Sequence, residues 1–98
     1  MEDEFDKLVA MLDEAKIPYD RVDSEWEFIN IRRVHYPNNE NCICSAINGY
    51  GTYGGQQGLI EIQGLLTESE AEYDDVVGYL TADDVFARIQ ADWEAKGE

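Results

Sequence analysis

The apolar residues of this chain change period twice, from helical to alternating and back to helical, and that order of patterns limits the folds open to it. Phe5, Leu8, Val9 and Leu12 recur at the i, i+3, i+4, i+7 spacing of one helix face, with Asp6, Asp13, Glu14 and Lys16 mostly off it. This predicts a helix over 3–16. Its first-turn acids suit the positive end of the helix dipole, and Pro18 ends it by forcing the preceding residue out of helical geometry. A second stripe, Val85, Phe86, Ile89 and Trp93, predicts a buried helix face over 82–95, capped by Thr81 and stopped near Gly97.

Between the helices the pattern alternates. Residues 19–22 suit a short strand, and 26–35 a longer one, with Ile29 and Ile31 on one face and Phe28, Asn30 and Arg32 on the other. A Pro/Asn turn at 37–41 leads into 42–48, apolar on both faces and therefore expected mid-sheet. There Ile43 and Ile47 share one side. Cys42, Cys44 and Ala46 share the other, where a helix can approach closely. Asn48 to Gly58, with five glycines, reads as a long hairpin loop that returns through a strand at 59–63. Thr67-Glu68-Ser69-Glu70 is a capping-box pattern opening a short helix or turn through Tyr73. Helix, three or four antiparallel strands and helix make an α+β fold, one domain over 1–98, with the helices on one sheet face.

The charge balance bears on function. Twenty-two carboxylates stand against seven Lys and Arg, a formal charge of −15. Solubility of a small domain is served by a magnitude of about 2–8, and further charge repels itself. A basic partner explains the excess most simply; adaptation to high salt is the competing explanation. Bare nucleic acid and anionic membranes repel such a chain. No run reaches the roughly 18 apolar residues of a membrane span, and the acidic start, Met1-Glu2-Asp3-Glu4, is unlike a signal peptide. Both point to the cytoplasm. The acids cluster over Met1–Asp6 and again at Glu68, Glu70, Glu72, Asp74, Asp75, Asp83 and Asp84, where no Lys or Arg intervenes. Such a run can imitate the line of phosphates on DNA, whose duplex carries one charge per roughly 1.7 Å. Solvated helix-start acids are the plainer reading. A calcium loop would need a central glycine that the run lacks.

Cys42, Cys44 and His35 invite a zinc or thiol reading. Structural zinc takes four ligands with cysteines two to four residues apart, so core packing of both thiols is favoured. The glycine-rich loop joins two strands and has no Lys, unlike a phosphate-binding loop. Its Tyr50 and Tyr53 suit a recognition surface or else fold back on the sheet. Adjacent Arg32 and Arg33 point to opposite strand faces, each toward an acid.

Three stretches, Tyr36-Pro-Asn-Asn-Glu-Asn-Cys-Ile-Cys-Ser45, Tyr53-Gly-Gly-Gln-Gln-Gly-Leu-Ile-Glu-Ile62 and Tyr79-Leu-Thr-Ala-Asp-Asp-Val-Phe86, together resemble small proteins carried by bacterial phages and prophages. In charge and in helix–sheet–helix order the chain also resembles the acidic DNA-mimic anti-CRISPR proteins that block a Cas nuclease. That resemblance implies a host-defence inhibitor seated on the arginine-bearing, PAM-reading region of its target. It transfers no residue by position. The expectation is a non-enzymatic inhibitor in a bacterial host cell, without cofactor. Its partner is the basic surface of a nucleic-acid-binding protein of the Cas nuclease or restriction enzyme class. Glu68, Glu70, Glu72, Asp74 and Asp75 are its charged contacts, with Tyr50 and Tyr53 as anchors. The alternatives are an adaptor binding through the Gly/Tyr loop, and a thiol or metal protein.

Overall fold

The computed structural model describes residues 3–27 and 29–97. Helix α1 (Glu4–Ala15) leads into strands β1 (Asp20–Trp26), β2 (Ile29–Tyr36) and β3 (Cys44–Gly49). A single 3-10 turn (Gly55–Gln57) precedes β4 (Ile60–Gln63), followed by α2 (Glu68–Tyr73), β5 (Val76–Leu80) and α3 (Ala82–Lys96). The strands form one antiparallel sheet in the order β1-β2-β3-β4-β5, and α1 and α3 pack on the same face. The α+β class and the helix–sheet–helix order are as the sequence indicates. The strand number is not: there are five among the described residues.

The fifth strand, β5, is one departure from the sequence reading, and the position of the first turn is another. The segment read as one strand over 26–35 is broken at Glu27, whose left-handed backbone (φ 55°) lets Trp26 pair back with Ile29. Glutamate is a poor predictor of that geometry, which usually recruits Gly, Asn or Asp. Phe28 lies outside the described residues. The unforeseen β5 contains Gly78 and ends in an irregularity, with Tyr79 also left-handed (φ 60°) and the register shifting between Ile60 and Ile62. A bulge of this kind erases the alternation by which a strand is read.

The core lies between the helices and one sheet face. Phe5, Leu8 and Leu12 of α1 and Val85 and Ile89 of α3 meet Val34 and Tyr36 of β2, Cys44 and Ala46 of β3, and Ile60 and Ile62 of β4. Each large aliphatic or aromatic side chain so buried contributes about 1.5–3 kcal/mol. Trp93, expected in that stripe, is instead 38% exposed, and Phe86 is half-buried. The last turns of α3 meet β2 instead through Asp92, which accepts from the Tyr36 hydroxyl, and Lys96, over the Tyr36 ring. Cys44 is buried as expected, but Cys42 precedes β3 and is exposed, so the two thiols do not share the core.

The helix ends follow local chemistry. Asp3 caps α1 by accepting a hydrogen bond from the Asp6 backbone N–H. α1 ends at Ala15, three residues before Pro18: Lys16 turns left-handed (φ 59°), its N–H reaching the Asp13 carbonyl while that of Ile17 reaches Leu12. Thr67 and Glu70 form the expected capping box on α2, and Thr81 caps α3 through the Asp84 N–H.

Among the described residues no helix is long and apolar enough to cross a membrane.

Candidate interaction surface

The Gly/Tyr loop is fastened at both ends and folds against the last strand. Thr52 Oγ1 accepts from the Gly49 N–H and donates to the Gly49 carbonyl, closing a tight turn at the exit of β3. The Leu59 N–H returns to the Gly54 carbonyl at 2.9 Å. Between these points the Tyr53 carbonyl accepts from the Tyr79 N–H at 3.1 Å, and the Tyr53 N–H donates to Glu61 Oε1 at 2.8 Å. Gly78 makes this contact possible, because a Cβ there would lie 2.1 Å from the Tyr53 Cβ. The loop thus continues the sheet edge at β5.

This arrangement gathers tyrosines. Tyr53 (54% exposed) and Tyr79 (61%) are neighbours across the loop–strand contact, with Tyr50 more exposed still in the same loop. Tyr73, at the C-terminal end of α2, is 90% exposed. Tyr79 and Tyr73 escaped the sequence reading, since neither lies in the glycine-rich segment that drew attention to Tyr50 and Tyr53. A cleft of about 250 Å³ opens beside Tyr79, lined with it by Gly51, Thr52, Gly54, Gln56 and Gln57.

The carboxylates divide into two groups. One is internal. Arg32, mostly buried, donates to Asp3, to Asp6 (3.0 Å) and to the Asn48 side-chain oxygen (2.7 Å), with its guanidinium 4.7 Å from the Phe5 ring centre. Glu4 accepts from the Ala82 N–H at the start of α3, tying the two helices together. Asp92 accepts from the buried Tyr36 hydroxyl at 2.7 Å. Burial, and then this bond, push the Tyr36 phenol above its ordinary range; the same bond leads in drawing Asp92 down. The N-terminal acid cluster is therefore largely structural over its described part, Asp3 to Asp6.

Glu70, expected as a partner contact, belongs with that group. It reaches Arg88 of α3 through two bonds of 2.8 Å and accepts from the Thr67 N–H, and these contacts hold its carboxyl down at about 2. Arg88 also pairs with Asp84. Glu70 looks free of cations in the sequence because its partner stands on a helix that begins well beyond it in the chain.

Glu68, Glu72, Asp74 and Asp75 form the second group. All four are exposed on α2 and its exit toward β5, and none pairs with Lys or Arg among the described residues. Asp83, in the first turn of α3, is likewise exposed. Glu14, Glu25, Glu40 and Glu94 are exposed elsewhere on the fold.

The thiol and histidine residues are kept apart. His35 pairs with Ser45 and Tyr36 with Cys44, so along β2 and β3 the imidazole and the Cys44 thiol stand on opposite sheet faces. His35 Nδ1 is bonded to the Asn39 side chain at 2.8 Å. Burial pushes the Cys44 thiol up to about 12, away from nucleophilic use at neutral pH.

No family model matches this chain, and no curated protein or solved structure matches it either.

Proposed function

We propose that this chain is a non-enzymatic binding protein that covers a cationic, nucleic-acid-binding surface of another protein and so excludes the nucleic acid. The observation that carries this reading is the juxtaposition at the β5 edge. Exposed carboxylates on α2 and its exit (Glu68, Glu72, Asp74, Asp75), paired with no Lys or Arg among the described residues, flank a strand that holds Tyr79 against Tyr53. Carboxylates give such a surface long-range attraction and orientation, while tyrosines give it area at little entropic cost. The partner class is that implied by the phage and anti-CRISPR resemblance, a Cas or restriction nuclease. Glu70 supports the surface from within rather than touching the partner.

The test is affinity capture from a bacterial lysate with three versions of the chain. One is the parent, and one carries Glu68, Glu72, Asp74 and Asp75 reversed to Lys. The third carries the same reversals at Glu14, Glu25, Glu40 and Glu94, which alters net charge equally. The reading expects the parent and the third version to retain a nucleic-acid-binding protein that the second loses. Equal capture by all three, or equal loss in both reversed versions, overturns it.

A further inference from the structure

We propose that the cleft between the Gly/Tyr loop and Tyr79 is a receptor for one arginine side chain of the partner, an inference that rests on the interaction surface proposed above. The cleft, about 250 Å³, falls below the roughly 300–1,000 Å³ of a site for a whole drug-sized ligand, and its scale is that of a side chain. Gly51, Thr52, Gly54, Gln56, Gln57 and Tyr79 line it, and none of them is charged. An anion finds no cation there and approaches a chain of charge −15. A cation is attracted by that same field, but which cation depends on the lining.

An ammonium is a compact, strongly hydrated point charge that is desolvated best against a carboxylate, and the lining has none. A guanidinium is planar, more weakly hydrated, stacks on aromatic faces and distributes its donors over neutral oxygens. The cleft offers what the second requires: loop backbone, two side-chain amides, a threonine hydroxyl and one tyrosine ring. The backbone that carries that ring is held in place at a cost. Tyr79 occupies the left-handed region, which disfavours any residue with a Cβ by about 1–2 kcal/mol. Its N–H is bonded to the Tyr53 carbonyl, and Gly78 permits the close approach that fixes the contact. A backbone outlier bearing an exposed aromatic ring beside a cleft is where function tolerates strain.

The experiment titrates the isotope-labelled full chain with N-acetyl-arginine amide, following backbone amide shifts by NMR. N-acetyl-citrulline amide (same shape, no charge) and N-acetyl-lysine amide (same charge, no plane) serve as comparators. The proposal expects saturable shifts centred on Gly51, Thr52, Gly54 and Tyr79, with arginine binding about tenfold or more tighter than either comparator. Tyr79→Gly removes the ring yet suits the left-handed backbone, so the variant stays folded and loses that preference. Shifts spread over the surface acids, equal responses to the three probes, or an unaffected Tyr79→Gly variant would each overturn the proposal. The capture experiment reads the α2 carboxylates independently, so a failed arginine site leaves the wider reading standing, and the converse holds.

Discussion

Arg32 and Arg88 each draw together groups that are far apart in sequence, and much of the acid excess makes sense only through them. Arg32 joins Asp3 and Asp6 of α1 to Asn48 at the end of β3, while the Asn48 amide donates to the Leu59 carbonyl. Arg32→Ala leaves these acceptors facing one another without a donor. We expect a loss of about 2–3 kcal/mol in urea unfolding, the scale of hydrogen bonds to charged groups. Lys at this site should recover only part of it, since one ammonium cannot reproduce the planar fork. Glu70 makes a prediction about pH. Its folded value of about 2 lies below the ordinary 4.5, so its contribution is complete above pH 4.5 and drains away as pH falls toward 2. Glu70→Gln should be less stable than the parent at neutral pH by about 1–2 kcal/mol, and the difference should shrink on acidification. Unfolding midpoints measured from pH 6 down to pH 2.5 check this; a gap that stays constant counts against the Arg88 pairing. The cysteines are separable by reactivity. Alkylation of the native protein at neutral pH should label Cys42 alone, with Cys44 labelled only after denaturation, as intact-mass measurement will show.

At the level of elements, what was legible in the sequence is what local chemistry determines. The stripe of Phe5, Leu8 and Leu12, the capping box at Thr67 and Glu70, the Thr81 cap and the alternation of Ile60 and Ile62 are all where periodicity and capping rules place them. What stayed hidden depends on backbone geometry at unhelpful residues or on long-range pairing. Glu27 and Tyr79 adopt left-handed backbone without being glycine, and so a turn and a strand went unseen. The Glu70–Arg88 pair joins residues 18 positions apart on different helices, which no window of sequence displays. The candidate surface shows the same division. Its carboxylates stand out in composition, whereas the meeting of Tyr53 with Tyr79 requires the fold. The β5 edge yields a prediction of its own. Gly78→Ala should displace the loop and destabilise the protein by about 1–3 kcal/mol, as overpacking does. Tyr79→Gly should raise the urea midpoint by relieving left-handed strain of about 1 kcal/mol. A destabilised Tyr79→Gly would mean that the ring contributes more packing than its exposure suggests.

For the whole molecule, the helices cover one face of the sheet and the Gly/Tyr loop extends its β5 edge, while β1 forms the other edge. The charge is distributed to match. Asp3, Glu4, Asp6, Glu70, Asp84 and Asp92 are committed to Arg32, Lys7, Arg88, Lys96 or a helix cap, whereas Glu68, Glu72, Asp74 and Asp75 crowd α2 and its exit and pair with no Lys or Arg among the described residues. An acidic surface of this kind, beside tyrosines, is suited to cationic protein and opposed to nucleic acid itself. The most direct test is displacement: a labelled DNA duplex bound to the captured partner is titrated with the parent chain at low and then at moderate salt. We predict that the chain and the duplex exclude one another, that displacement weakens steeply as salt rises, and that reversal of Glu68, Glu72, Asp74 and Asp75 abolishes it. A ternary complex in which the partner holds both chain and duplex, at either salt concentration, would contradict the account.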